Sequence, residues 1–310
     1  MDVMEQMNPQ FDDDTLYILP TFLRVEEEVA SILDKSECGV IFGRKIVTFP
    51  QLIERIYEEI PTSKVLLSSP GQLVLIERIL GALYQGKEDG YFAPLINSKS
   101  LSKTLLNIIN SLKSNNINHD EFLDLVDRCD SEHKMKLGEV ASVYRHYQMR
   151  LTGRGLADMS DVNWAVKDFV ADQKNEISLL KGVHKLVIED IYDFTPVQFD
   201  LIVALANRIA HTTVSIPYDH DRNDIFGFVE RTIKQFEALW ELNRDINLDF
   251  KFQREVTHAV VSKIAERYLK KDNQCTQEPL RISDEVVLIE SAGIYREAEA
   301  IGKEIRKLLD

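Results

Sequence analysis

Apolar residues along this chain fall into two kinds of run. Short stretches rich in branched aliphatic side chains, each closed by polar or turn-forming residues, occur at 16–19, 64–67, 185–188, 212–216 and 286–289. Their length and branching predict buried strands. Between them the apolar positions recur every three or four residues, as at Val25, Val29, Ile32 and Leu33, and again at Val197, Leu201, Leu205 and Ile209. That spacing gathers them on one face of a helix. Strand alternating with helix predicts an α/β fold in which helices cover a parallel sheet.

The rhythm breaks between about 98 and 182. This stretch offers four or five helical patterns and no convincing strand. Its parts are SLSKTLLNIINSLKS, HDEFLDLVDRC, HKMKLGEVASVYRHYQMRL and MSDVNWAVKDFVADQ, separated by the turn-prone NNIN, CDSE and GRGLAD. The pattern predicts an all-helical insertion within the sheet domain.

Composition narrows the function classes. With 310 residues, 44% of them hydrophobic, the chain can bury a core without covalent staples. Cys38, Cys129 and Cys275 stand far apart with no CxxC or Cys/His spacing, which argues against a zinc site or disulfide framework and suits a reducing cytoplasm. The acidic start MDVMEQMNPQFDDD has no signal-peptide pattern and no apolar run reaches membrane-spanning length, so a cytoplasmic protein without membrane contact is expected. A net charge of −14 repels nucleic acid unless basic residues gather on one surface. They gather modestly at Arg24, Arg44 and Lys45, and at Lys263, Arg267, Lys270 and Lys271.

Most chemical motifs fail on context. Residues 81–88, GALYQGKE, contain GxxxxGK, but Glu88 replaces the magnesium-binding hydroxyl, and the segment ends a helical run instead of following a strand. Gly86 reads as a helix C-cap. Residues 42–45, FGRK, match a P-loop less well. Residues 219–230, DHDRNDIFGFVE, place acidic or amide groups at positions 1, 3, 5 and 12 of a calcium loop, but Asp224 stands where the turn needs glycine. No HExxH or GxSxG pattern is present.

Residues 185–198 are different. The strand Leu186-Val187-Ile188 delivers Glu189 and Asp190 to the carboxyl end of a parallel sheet, where ligands bind in open α/β folds. Adjacent carboxylates there could hold Mg²⁺ through water and orient an attacking water. On chemistry alone a structural reading outweighs this, since Thr195, Pro196 and Gln198 make a capping box that starts a helix.

The segment Glu189-Asp190-Ile191-Tyr192-Asp193, followed by Gln198, resembles the Walker B region of UvrD-type helicases, with the two key acids reversed and Tyr192 in place of glutamine. Tyr144 and Tyr147, followed by Gly155-Leu156-Ala157-Asp158, are similar to the "Y…Y…GL.DF" stretch that closes the family's helical 1B insertion. Residues 17–21, YILPT, look like motif Ia, and Tyr295-Arg296-Glu297-Ala298-Glu299 lies in a stretch like the helix leading into the second motor domain. Pro217-Tyr218-Asp219 with Arg222 replaces the GDxxQ element. These residues and the YDFTPVQ form resemble the B subunits of AddAB-type helicase–nucleases.

The resemblance implies a P-loop-NTPase-like (RecA-like) motor domain. Domain 1A would comprise 1–97 and 183–285, the 1B-like insertion 98–182, and the start of a 2A-like domain 286–310. It implies a non-catalytic scaffold and DNA guide in double-strand-break processing, with single-stranded DNA and a motor helicase–nuclease subunit as partners. A PD-(D/E)XK nuclease would lie further along the full-length protein. Too few residues precede Leu16 for a P-loop, so ATP and Mg²⁺ are not expected as cofactors and Glu189, Asp190, Asp193 and Gln198 read as relics. Arg24, Arg44, Lys45 and Arg222 are the candidate DNA contacts. The alternatives are an active ATPase using the same acids, or a protein-interaction module on an α/β scaffold.

Overall fold

The computed structural model describes residues 14–35, 45–86, 89–96, 98–129, 132–216, 218, 223–242 and 289–309. The chain divides into two units, one comprising 1–218 with 228–233 and the other 219–227 with 234–310.

The first unit is built on a parallel four-stranded sheet. Its strands are β1 (Thr15–Leu19), β2 (Ile46–Thr48), β5 (Lys185–Glu189) and β6 (His211–Ser215), in the order β2-β1-β5-β6. Tyr17 pairs with Ile46 and with Val187, and Ile188 pairs with Val214. β1 is central and almost wholly buried, as a strand covered on both faces should be. Helix α1 (Phe22–Lys35) lays Val25, Val29 and Ile32 on Leu19 and Ile46. Helix α2 (Phe49–Glu59) starts directly from β2 in a capping box, with Thr48 and Gln51 satisfying each other's backbone N–H groups.

Three strand expectations need correction. The run 64–67 forms only β3 (Val65–Leu66), which lies outside the main sheet and is exposed, Val65 by 64% and Leu66 by 51%. It pairs with β4 (Leu156–Ala157), a strand inside the stretch read as all helical. Gly155, at φ +65°, turns the chain so that its carbonyl accepts Val65 N–H, a conformation suited to glycine. Among the described residues β6 is an edge strand, and its side chains are mostly exposed instead of buried. The run 286–289 lies outside the described residues except for Ile289, which is not in a strand.

All four helices expected between 98 and 182 are present as α4 (Lys99–Ser114), α5 (His119–Arg128), α6 (Lys134–Thr152) and α7 (Met159–Ala171). Their core is shared with α3 (Ser69–Leu83): Leu75, Ile76, Ile79 and Leu80 pack with Leu101, Leu105, Ile109, Val143 and Leu151.

The polar centre of this layer is Lys113, whose side chain is 0% exposed. Its Nζ donates to both oxygens of Asp158 at 2.9 and 2.8 Å, to Asp161 at 2.7 Å and to Gln148 at 3.0 Å. Tyr147 Oη donates to Asp158 at 3.1 Å, and Asp158 N-caps α7 in a capping box with Asp161. Tyr144 Oη donates to the Ile117 carbonyl at 3.0 Å. The tyrosines and aspartate of the "Y…Y…GL.D" pattern thus help bind α4, α6 and α7 together.

Helix α8 (Pro196–Ala206) is apolar almost all round and packs against α7. The guanidinium of Arg208, just beyond α8, donates to the carbonyls of Val170 at 2.6 Å, Asn175 at 2.9 Å and Asp172, closing the end of α7. Helix α9 (Asn223–Leu242) contributes 228–233 to this unit. The second unit contains α10 (Ile294–Leu309), a helix in the stretch that resembles the approach to a second motor domain. Among the described residues no helix is long and apolar enough to cross a membrane.

Candidate functional site

The loop between β5 and α8 sits at the carboxyl edge of the sheet and is anchored on three sides. Asp190 turns it with φ +56°, a left-handed conformation that aspartate adopts more readily than most residues. Phe194 is buried and meets Phe49 edge-on, ring centroids 6.0 Å apart. The Tyr192 carbonyl accepts a 2.9 Å hydrogen bond from Oγ1 of Thr232, a buried residue of α9.

This anchoring turns side chains outward. Tyr192 is 42% and Phe228 55% exposed, and their rings meet edge-on at 5.4 Å. Arg24 comes to the same edge from the first turn of α1. Its backbone N–H is capped by Thr21 Oγ1 at 3.2 Å, its Nη1 donates to Glu27 at 3.2 Å, and its Nη2 lies 3.7 Å from Asp190 Oδ2. The hydrogen bond to Glu27 is the main cause holding Arg24 above the ordinary arginine range; burial opposes it, and the charges of Asp190, Glu27 and Glu28 add to it.

The residues expected from the sequence divide as follows. Glu189 ends β5, half-buried, and Asp190 and Asp193 are exposed in the loop. Gln198 caps α8: its Oε1 accepts from Thr195 N at 3.0 Å and Oγ1 at 3.1 Å, and its own N–H donates to Thr195 Oγ1 at 3.3 Å. The structure brings Arg24 to Asp190, a pairing between two sequence candidates. Lys45 lies elsewhere, at the start of β2, where Nζ donates to the Lys181 carbonyl at 3.2 Å. Arg24 and Lys45 therefore stand at opposite edges of the sheet. Arg44, Arg222, residues 219–222 of the calcium-like loop and the basic group at 263–271 lie outside the described residues. In the GxxxxGK stretch, α3 is capped by Tyr84 and not by Gly86; Gly86, at φ +73°, turns the chain two residues beyond that cap.

Two features escaped the sequence reading. Phe228 carries no motif and is recognised only by its contact with Tyr192. Lys113 had a signal: it continues the buried stripe Leu101, Leu105 and Ile109 at helical spacing, and a charged residue on such a stripe requires buried partners.

Comparison with known proteins bears on this arrangement. The family model described as "ADDB, N-terminal" matches residues 2–271. A protein of Clostridium novyi, named as the B subunit of an ATP-dependent helicase/deoxyribonuclease, is 21% identical over 99% of this chain and 27% of its own length. Proteins of the same name from Clostridium tetani and Staphylococcus saprophyticus are each 19% identical, over 99% and 94% of this chain and 27% and 25% of theirs. The chain spans about a quarter of the length of these relatives.

Proposed function

The chain belongs to the AddB N-terminal family, and from that premise we propose that it is a non-catalytic, helicase-like part of a DNA-repair helicase–nuclease subunit, serving as scaffold and DNA guide. The relatives' shared name, a subunit of an ATP-dependent helicase/deoxyribonuclease, supports that setting and a motor partner. In this reading 1–97 and 183–285 form a RecA-like domain 1A, 98–182 its 1B-like insertion, and 286–310 the start of domain 2A. The all-parallel strand order and the acidic turn at the carboxyl end of β5 support it. The protein works in the cytoplasm, with the nuclease carried further along the full-length subunit.

The observation that carries the DNA-guiding role is the exposed Tyr192–Phe228 pair, whose Tyr192 stands on the loop where Asp190 meets Arg24. Single-strand channels combine aromatic faces, on which bases stack, with basic groups that follow the phosphates. A chain of net charge −14 repels DNA over most of its surface, so a contact must be local and salt-sensitive. Titration of a fluorescent single-stranded oligonucleotide at low salt, with and without the motor subunit, tests this. Binding that weakens as salt rises is expected; absence of binding in both conditions would exclude the guiding role.

A further inference from the structure

Helix α9 meets the loop between β5 and α8 twice. Phe228 and Thr232 stand four residues apart on it, one turn, so they share a face. Phe228 meets the Tyr192 ring edge-on at 5.4 Å, and Thr232 Oγ1 donates to the Tyr192 carbonyl at 2.9 Å. Both residues belong to the first unit, as the loop does. A helical threonine can place its hydroxyl on a carbonyl of the preceding turn. Thr232, only 1% exposed, instead reaches a carbonyl 40 positions away. Between the left-handed turn at Asp190 and the buried ring of Phe194, the residues Ile191, Tyr192 and Asp193 form no regular structure. Among the described residues they make no backbone–backbone hydrogen bond. The Thr232 hydroxyl is thus a fixed point for the backbone that carries Tyr192.

We propose that Thr232 is the positioning residue of the stacking surface, holding Tyr192 outward and against Phe228 before a base arrives. The inference rests on the DNA-guiding reading of this site. Thr232 is buried, so it cannot touch a nucleic acid itself, and its effect must pass through Tyr192. A group already held in its bound orientation loses less freedom on binding, which raises affinity without adding a contact. Ordering one side chain in this way is worth about two- to tenfold in affinity.

Anisotropy of a fluorescein-labelled oligothymidylate, titrated with the whole chain at low salt with and without the motor subunit, provides the test. Wild type is compared with Thr232→Val, Thr232→Ser, Tyr192→Ala and Tyr192→Ala/Thr232→Val, with far-UV circular dichroism confirming that each is folded. Thr232→Val keeps the shape of the side chain and removes the donor. It should bind about two- to tenfold more weakly, with the same dependence on salt because no phosphate contact is lost. Thr232→Ser retains the hydroxyl and should bind as wild type does. In the Tyr192→Ala background Thr232→Val should have no further effect, whereas a merely structural role would weaken both backgrounds alike. Without DNA, amide hydrogen exchange across 189–195 should quicken in Thr232→Val and not in Thr232→Ser. The proposal is overturned if Thr232→Val binds as wild type does, if serine fails to rescue, if the loss persists without Tyr192, or if exchange is unchanged. Wild type that binds no oligonucleotide in either condition overturns the DNA-guiding reading and this inference with it. Wild type that binds alongside an unaffected Thr232→Val overturns this inference alone.

Discussion

Replacing Lys113 by methionine keeps the bulk of the side chain and removes its charge, and the structure indicates how much this should cost. Nζ makes hydrogen bonds of 2.7–3.0 Å to Asp158, Asp161 and Gln148, and neither Lys113 nor Asp158 is more than 1% exposed. The variant strands two carboxylates in a dry layer, and breaking a buried ion pair from one side typically costs about 3–5 kcal/mol. A domain of this size is stable by about 5–15 kcal/mol in total, so the loss would be a large fraction. At about 2–4 °C per kcal/mol, the melting temperature should fall by about 6–20 °C. Urea unfolding followed by Trp164 fluorescence, in a Trp240→Phe background, reads the site directly, because Trp164 Nε1 donates to the Lys113 carbonyl at 3.1 Å. Adding Asp158→Asn and Asp161→Asn should recover at least half of the loss, asparagine still capping α7. A loss below about 1 kcal/mol, or no recovery in the triple variant, would refute the assignment of Lys113 as the ionic centre of the helical layer.

Four further perturbations test other parts of the structure. Thr195→Ala removes the N-cap of α8 and should cost about 0.5–2 kcal/mol in urea denaturation, with Thr195→Ser nearly neutral. Phe194→Ala empties the anchor beneath the acidic loop and should cost about 3–5 kcal/mol by the same measurement. Asp190→Val forces a branched residue into a left-handed turn and should cost about 1–2 kcal/mol or more, whereas Asp190→Gly should be tolerated. Burial is the largest cause holding the phenols of Tyr84, Tyr144 and Tyr147 above the ordinary tyrosine range, with hydrogen-bonded or nearby carboxylates adding to it. Folding thus favours the neutral phenol, and its stabilisation is complete below about pH 10 and declines as the unfolded chain ionises above that. Urea midpoints from pH 8 to 11 should fall at the alkaline end, and Tyr147→Phe should flatten that fall.

The helices were legible because their apolar spacing is regular and their caps are local. The Thr195-Pro196-Gln198 box and the Asp158 cap are written within four consecutive residues each, so the sequence contains the whole interaction. Strands were less so. β2 has only three residues, Ile46-Val47-Thr48, and passes straight into α2, so no period of two can develop. β3 and β4 exist through each other, and no local pattern announces a pairing between residues 65 and 156. The acidic pair of the site was visible as residue types at the end of a strand. Its electrostatic setting was not, because Arg24 and Asp190 are far apart in the chain and only the β1–β5 pairing brings their elements together.

The central claim is the proposal that this edge contacts DNA through its exposed aromatic faces. Fluorescence anisotropy of a single-stranded oligonucleotide with wild type and with Tyr192→Ala/Phe228→Ala tests it most directly. Loss of base stacking should weaken binding by about 1–3 kcal/mol per base, roughly five- to 150-fold for a single base. Equal affinity in wild type and the double variant would contradict the claim.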